Sequence, residues 1–299
     1  LSTRDDVPGE ASREPPAAVH PPCDRYEGPT VIGTVAEPIL AEISGLAASR
    51  VHDDVLYVHN DSGEPHARFF AIRGSGEVLA EYALGQEPAF DLEEIALGPG
   101  RDGRDAIYLA DIGDNDARAG RTPRPSIRVL RVAEPPRATS RAAVTLEPVE
   151  RFELRYPSDP VDAEAFFVEP ASGDLYVLGK VASGAAPLFV ARAPLSADDV
   201  EILEALGPFY PARDLGDAIT ASSLDASGTR LAVRTYRDVL LFTRDEARDW
   251  PAALREAPVR LPRLHEPQGE AIAFRPDGSI VSITEGASAP VQLLVPRCE

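Results

Sequence analysis

Residues 91–99 read DLEEIALGP, and residues 106–115 read AIYLADIGDN. Acidic side chains open the first run and close the second, and a Gly/Asp-rich turn separates them. Two short apolar runs around such a turn read as a pair of antiparallel strands. Taken alone, DIGDND resembles the start of a calcium-binding EF-hand loop. Gly113 stands at the third position of that loop and Thr122 at the twelfth, so the pattern fails. The stretch becomes informative when its copies elsewhere in the chain are set beside it.

Four further segments share the pattern of polar residues two apart followed by an apolar run. They are EISGLAAS from Glu42, DAEAFFVEP from Asp162, AITASSLDASG from Ala218 and QGEAIAFRPDG from Gln268. The first position holds Glu42, Asp91, Asp162, Ala218 and Gln268, and the third holds Ser44, Glu93, Glu164, Thr220 and Glu270. A second strand follows each: VLYVHND, AIYLADIGDN, DLYVLGK, RLAVRTY and SIVSITE. A third follows in turn: ARFFAIR, PSIRVLRV, PLFVARA, VLLFTR and PVQLLVP. Four units add a fourth, more polar strand: GEVLAEYAL, VERFELRY, EALGPFY and APVRLPRL. The spacing is about 50 residues, stretched to about 70 between Glu93 and Glu164 by ARAGRTPRPS and the linker RATSRAAVTLE.

The fifth unit runs out of chain after its third strand, while TVIGTVAE (30–37) is a strand without a unit. Placed beside PVQLLVP it completes the unit, which is how a β-propeller closes its ring. The expected fold is therefore all-β: a five-bladed β-propeller over 30–299, closed by the N-terminal strand, with six blades as the alternative. Residues 1–29, Pro-rich and charged, read as an exposed tail. Helical periodicity is nearly absent. Its best candidate, 245–256, contains Pro251. The two cysteines, Cys23 and Cys298, flank the closing strand and the strand it would pair with. A Cys23–Cys298 disulfide there would stabilise the closed ring by about 5 kcal/mol in the chain-entropy model. It also points to an oxidising, secreted or periplasmic compartment.

Composition narrows the function. The net charge of −19 over 299 residues disfavours DNA or RNA as a partner and favours cations. Aromatic residues make up 6%, too few for extended sugar or base platforms. No run approaches the length of a membrane span. Methionine is absent, position 1 included, which leads us to expect a chain that starts after processing or truncation.

Strand one of a blade lines the channel and strand two runs back beside it, so strand-one starts and strand-two ends meet at one mouth. Glu42, Asn60, Asp61, Asp91, Glu93, Asp111, Asp114, Glu164 and Glu270 form the expected metal set. All offer hard oxygens, which suit Ca²⁺ or Mg²⁺ better than zinc, and Ca²⁺ is the expected ion. The five histidines show no useful pairing. Glu94 or Glu164 is the expected base, and Lys180 and Arg234 the expected cations for an anionic ester. Salt bridges to nearby carboxylates are the competing reading for both cations. Ser62, beside Asp61 and His59, lacks the elbow of a nucleophilic serine.

The motifs ISGLAAS, HNDSG, DLEEIA, DIGDN and QGEAIAF together resemble a family of bacterial secreted propellers, distantly similar to phytase-like and SdiA-regulated propellers. The resemblance spans residues 39–285. It implies a propeller, a signal-bearing precursor and calcium. Likeness to phytases of this architecture implies a calcium-dependent hydrolase of phosphoesters, and likeness to lactonase and arylesterase propellers implies a lactonase with Glu42 and Asn60 in calcium-holding parts. The competing class is a non-catalytic binding or scaffold propeller whose acidic channel is structural. A monomer taking a small-molecule or anionic ester ligand is expected in the first case.

Overall fold

In the computed structural model, which describes residues 23–61, 65–115, 120–138, 141–245 and 247–298, the short apolar runs form five sheets. Most of the expected tail, and Ser62, lie outside the described residues. Blade 1 contains β2 (Ile43–Ala48), β3 (Leu56–Asn60), β4 (His66–Ile72) and β5 (Val78–Pro88). Blade 2 contains β6 (Leu92–Pro99), β7 (Asp105–Asp111), β8 (Ile127–Ala133) and β10 (Glu150–Arg155). Blade 3 contains β11 (Ala163–Val168), β12 (Leu175–Gly179), β13 (Gly184–Ala191) and β15 (Glu204–Ala212). Blade 4 contains β16 (Ile219–Leu224), β17 (Arg230–Thr235), β18 (Val239–Thr243) and β19 (Val259–Arg260). Blade 5 contains β20 (Gly269–Phe274), β21 (Ile280–Thr284) and β22 (Ala289–Pro296), and its outer strand is β1 (Tyr26–Val35).

The innermost strands β2, β6, β11, β16 and β20 contact one another in that order, and β20 returns to β2. These strands are nearly all buried. Convergence on an axis leaves little room, which explains their many Gly, Ala, Ser and Thr residues. The core is accordingly divided among the seams and does not sit at one centre. Tyr57, Phe69 and Leu109 pack between blades 1 and 2, and Tyr108, Phe152 and Phe166 between blades 2 and 3. Phe167, Phe242 and Trp250 fill the next seam, and Leu241, Ile272 and Phe274 the fourth. Leu46, Phe70 and Ile283 close the circle between blades 5 and 1. Each fully buried large side chain contributes about 1.5–3 kcal/mol. A sixth blade has neither a sheet nor a seam among the described residues.

Ring closure follows the expected strand pairing. β1 runs antiparallel to β22, from Tyr26 opposite Pro296 to Val35 opposite Ala289. It starts before the expected Thr30, so the last residues of the Pro-rich segment are already in the sheet. Cys23 and Cys298 lie against each other beyond this pair, where hydrogen bonding to the Cys23 thiol raises the Cys298 thiol pKa. The expected disulfide is not formed here; both residues are free thiols.

Two corrections concern connections. The segment expected as a linker contains β9 (Ala142–Leu146), which adds in parallel to β5 at the edge of blade 1. β14 (Val200–Ile202) does the same for β10 in blade 2. Each covers an edge that would otherwise offer unpaired backbone groups. The helical candidate shrinks to Trp250–Ala253. Pro251 sits in its first turn, where no N–H is needed, and Asp249 caps it by accepting from Ala252 N at 2.9 Å.

Candidate metal centre at the channel mouth

Every innermost strand breaks register at the same place. Pairing skips Ser44 in β2, Glu93 in β6, Glu164 in β11, Thr220 in β16 and Glu270 in β20. A bulge turns the unpaired residue out of the ladder and re-aims its side chain. These are the third-position residues of the repeat, and each is at most 4% exposed. A second regularity holds the mouth together. In every blade the residue leaving strand two donates its backbone N–H to the first-position carbonyl. The pairs are Asp61 to Glu42 (2.9 Å), Gly113 to Asp91 (3.2 Å), Lys180 to Asp162 (2.8 Å), Tyr236 to Ala218 (3.3 Å) and Glu285 to Gln268 (3.2 Å). The mouth is thus three stacked rings of equivalent positions, and each blade fills them differently.

Blades 1, 2, 3 and 5 supply carboxylates; blade 4 supplies Ala218, Thr220 and Tyr236. Oxygens of Asp61, Asp91 and Glu93 lie within 4.8 Å of one another, as do oxygens of Glu93, Asp162 and Glu164. Ser44 Oγ donates to Glu93 Oε2 at 3.3 Å, whereas Glu93 Oε1 is buried with no hydrogen-bond partner, as is Asp61 Oδ1. Asp91 accepts from Asn115 N at 2.8 Å and Nδ2 at 3.1 Å, and Asp162 accepts from Asp114 N at 2.9 Å. Burial pushes Glu93 well above the usual carboxylate range, and Glu164, Asp61, Asp91 and Asp162 add to it. Burial, then Asp91 and Glu285, pushes Asp61 up to about 7. Burial, then Glu270 and Glu42, pushes Glu285 up to about 7. Carboxylates crowded in this way, with Glu93 Oε1 and Asp61 Oδ1 lacking donors, could hold a cation. The all-oxygen donor set fits a hard divalent ion.

One ammonium enters this field. Lys180 Nζ donates to Glu164, and to Tyr236 Oη at 2.8 Å. Burial alone would lower its pKa, but Glu164 and Glu270 outweigh burial and hold it charged. Gln268 Nε2 bridges Glu270 (3.1 Å) and Glu285 (2.6 Å), extending the network into blade 5.

With this geometry in view, comparisons place the architecture. The chain is similar to the soluble aldose sugar dehydrogenase of Escherichia coli, with a TM-score of 0.51 at 9% identity, over 90% of this chain and 99% of that one. It is similar to a glucose dehydrogenase with a TM-score of 0.51 at 11% identity, over 91% of this chain and 100% of that one. The fold is that of a β-propeller. No family model matches the chain and no curated protein matches it by sequence. The resemblance to phytase-like or SdiA-regulated propellers thus has no family match behind it.

The propeller brings together Asp61, Asp91, Glu93, Glu164, Glu270 and Lys180 from the expected set, and leaves other members elsewhere. Asp111 is fully buried, and its carboxylate is held by Arg124 at 2.7 Å and Arg128 at 2.7 Å. It also accepts from Phe90 N and Asp91 N, so it positions Asp91 and has no oxygen to spare. Asp114 accepts from Arg124 N at 3.0 Å. Asn60 donates to Ile39 O at 2.6 Å, fixing the turn Pro38–Leu40, while its Oδ1 is buried without a hydrogen-bond partner, and Glu42 stands exposed at the rim. Glu94 points inward from the mouth, accepting from Ser222 N of blade 4 at 2.8 Å and Ile95 N at 3.1 Å. Arg234 is sealed between blades 4 and 5, where it pairs with Glu266 at 2.8 Å. That bears out the competing reading of a salt bridge for this cation, and Asp217 is held by Arg213 and Arg237. Asp162 and Glu285 were left out of the expected metal set, although their repeat positions match Asp91 and Asp61.

Proposed function

We propose that this propeller binds a divalent cation, Ca²⁺, through Asp61, Asp91 and Glu93, and that its mouth acts on a small ester, either an anionic phosphoester or a lactone. The observation that carries the cation is Glu93 Oε1, buried without a hydrogen-bond donor inside a triad of carboxylate oxygens. A buried acceptor of this kind costs about 1–3 kcal/mol unless something satisfies it. When bound, the ion would polarise an ester oxygen and lower the pKa of an attacking water. Lys180 and Tyr236, on the opposite arc, offer donors for the anionic group. Glu285, half-buried at the rim with its pKa raised to about 7, is placed to take up a proton near neutral pH. Glu94 accepts from Ser222 N of blade 4 and Arg234 pairs with Glu266, so neither enters this reading as a reacting group.

A secreted or periplasmic setting agrees with this reading, since extracytoplasmic calcium is abundant and Cys23 and Cys298 are juxtaposed. The test is the melting temperature of the full chain with chelator and with added Ca²⁺, together with turnover of phosphoester and lactone panels in both conditions. Calcium-dependent melting and turnover support the proposal; an unchanged melting temperature sinks the metal. The second reading, a non-catalytic binding propeller, is favoured by the structural use of Asp111, Glu94 and Arg234. Calcium-dependent melting without turnover would select it.

A further inference from the structure

The two carboxylate triads of the mouth meet at Glu93 and differ in one respect. In the first, Glu93 Oε1 and Asp61 Oδ1 are buried and lack hydrogen-bond partners. In the second, Glu164 already holds a cation, the ammonium of Lys180. That side chain is 5% exposed, and its Nζ lies 4.9 Å from the Tyr236 ring centroid. Lys180 leaves strand two of the blade that supplies both Asp162 and Glu164, and its N–H is bonded to Asp162 O. Asp162, Glu164 and the cation therefore belong to the strand pair of blade 3, with Glu93 joining them from blade 2, whereas the first triad draws on blades 1 and 2 and has no basic residue at its equivalent positions.

We infer that Lys180 is a built-in cation standing in the second of two cation positions, so that the mouth takes one divalent ion. Removing the ammonium opens a second divalent site on Glu93, Asp162 and Glu164. This rests on the proposed metal reading of the first triad. A compact ammonium is suited to the part. It is a strongly hydrated point charge on a flexible stem, and its donors can point at a carboxylate and a phenol oxygen together. Carboxylates within 4.8 Å of one another cannot all stay ionised without a counter-charge. A tethered cation provides that charge at any external calcium concentration. Glu93, shared by both triads, would then feel the metal on one side and the ammonium's partners on the other.

The experiment is calcium stoichiometry of the full chain, by calorimetric titration and native mass spectrometry with Ca²⁺ alone after chelator treatment. The expected result is one ion for the parent protein, two for Lys180→Met, and one again for Lys180→Met combined with Asp162→Asn. Lys180→Gln, which keeps a donor for Tyr236, serves as the second variant should the methionine form fail to fold, and two ions are expected for it. Lys180→Arg keeps the charge and should stay at one. Two ions in the parent, or one in every folded charge-removing variant, overturns the inference while leaving the metal reading intact. No ion in the parent overturns the metal reading and this inference with it.

Discussion

Gly113 leaves its side-chain space to Glu93: a β-carbon built on Gly113 would lie 2.2 Å from Glu93 Oε1 and 2.7 Å from the Asp91 carboxylate. The other blades carry Asp61, Lys180, Tyr236 and Glu285 at this ring position, so blade 2 alone gives it up. Gly113→Ala should therefore displace Glu93 and weaken Ca²⁺ about 10–100-fold, as changes beside metal ligands do. The backbone there is not in the left-handed region, so the fold should persist. Calorimetric titration checks it, and unchanged affinity would show that Glu93 does not face the ion.

The ion-free protein should lose stability as pH rises from about 4.5 to about 7. Asp61 and Glu285 both have their pKa raised to about 7 in the folded chain. Between the ordinary carboxylate range and that value the folded state keeps protons that the unfolded state has released. Stability therefore falls with pH through this window and levels off above it. Melting curves in chelator should show a decline of several degrees, at roughly 2–4 °C per kcal/mol for a chain of this order of size. Saturating Ca²⁺ should flatten it, and Asp61→Asn should reduce it. A level profile in chelator would contradict the assignment.

Arg234 and Glu266 are 1% and 0% exposed and 2.8 Å apart, and Gln292 and Ser282 complete the Glu266 carboxylate. Arg234→Met leaves that carboxylate buried without its counter-charge and should cost about 3–5 kcal/mol. Because the pair lies within the seam of blades 4 and 5, calcium affinity of the folded fraction should not change. Denaturant unfolding and calcium titration measure the two effects separately. A large loss of affinity would place Arg234 back at the mouth.

Cys23 and Cys298 should oxidise to a bridge without rearrangement of the ring. Thiol titration is expected to find both reactive under reducing conditions and neither after mild oxidation, with oxidation raising stability by about 2–5 kcal/mol. Cys23→Ser should remove the gain. Two reactive thiols after oxidation would leave β1 closed by backbone pairing alone.

The propeller was legible because its units repeat a physical requirement. Each innermost strand needs small, buried residues, a polar start and a turn at fixed distance, and DLEEIALGP shares these with four sister segments. The unpaired TVIGTVAE had only one place to go. The third-position residues were legible as a set, and the structure explains them as the bulged residues. The linker strand β9 was not legible, since its parallel pairing to β5 joins segments that are far apart in the chain.

The individual roles of the acids were less accessible. Glu93 and Glu94 are neighbours in sequence, yet the bulge sends one to the mouth and the other toward Ser222. Asp111 looks like a ligand until Arg124 and Arg128 arrive from beyond the next turn and take both its oxygens. Arg234 looks like an anion clamp until Glu266 meets it across the seam. The sequence by itself determined the blade unit, the strand that closes the ring and the ring positions, because those follow from local period and repeat. Only the tertiary structure decided which carboxylates remain without partners, because each depends on whether a cationic side chain from another strand reaches it first.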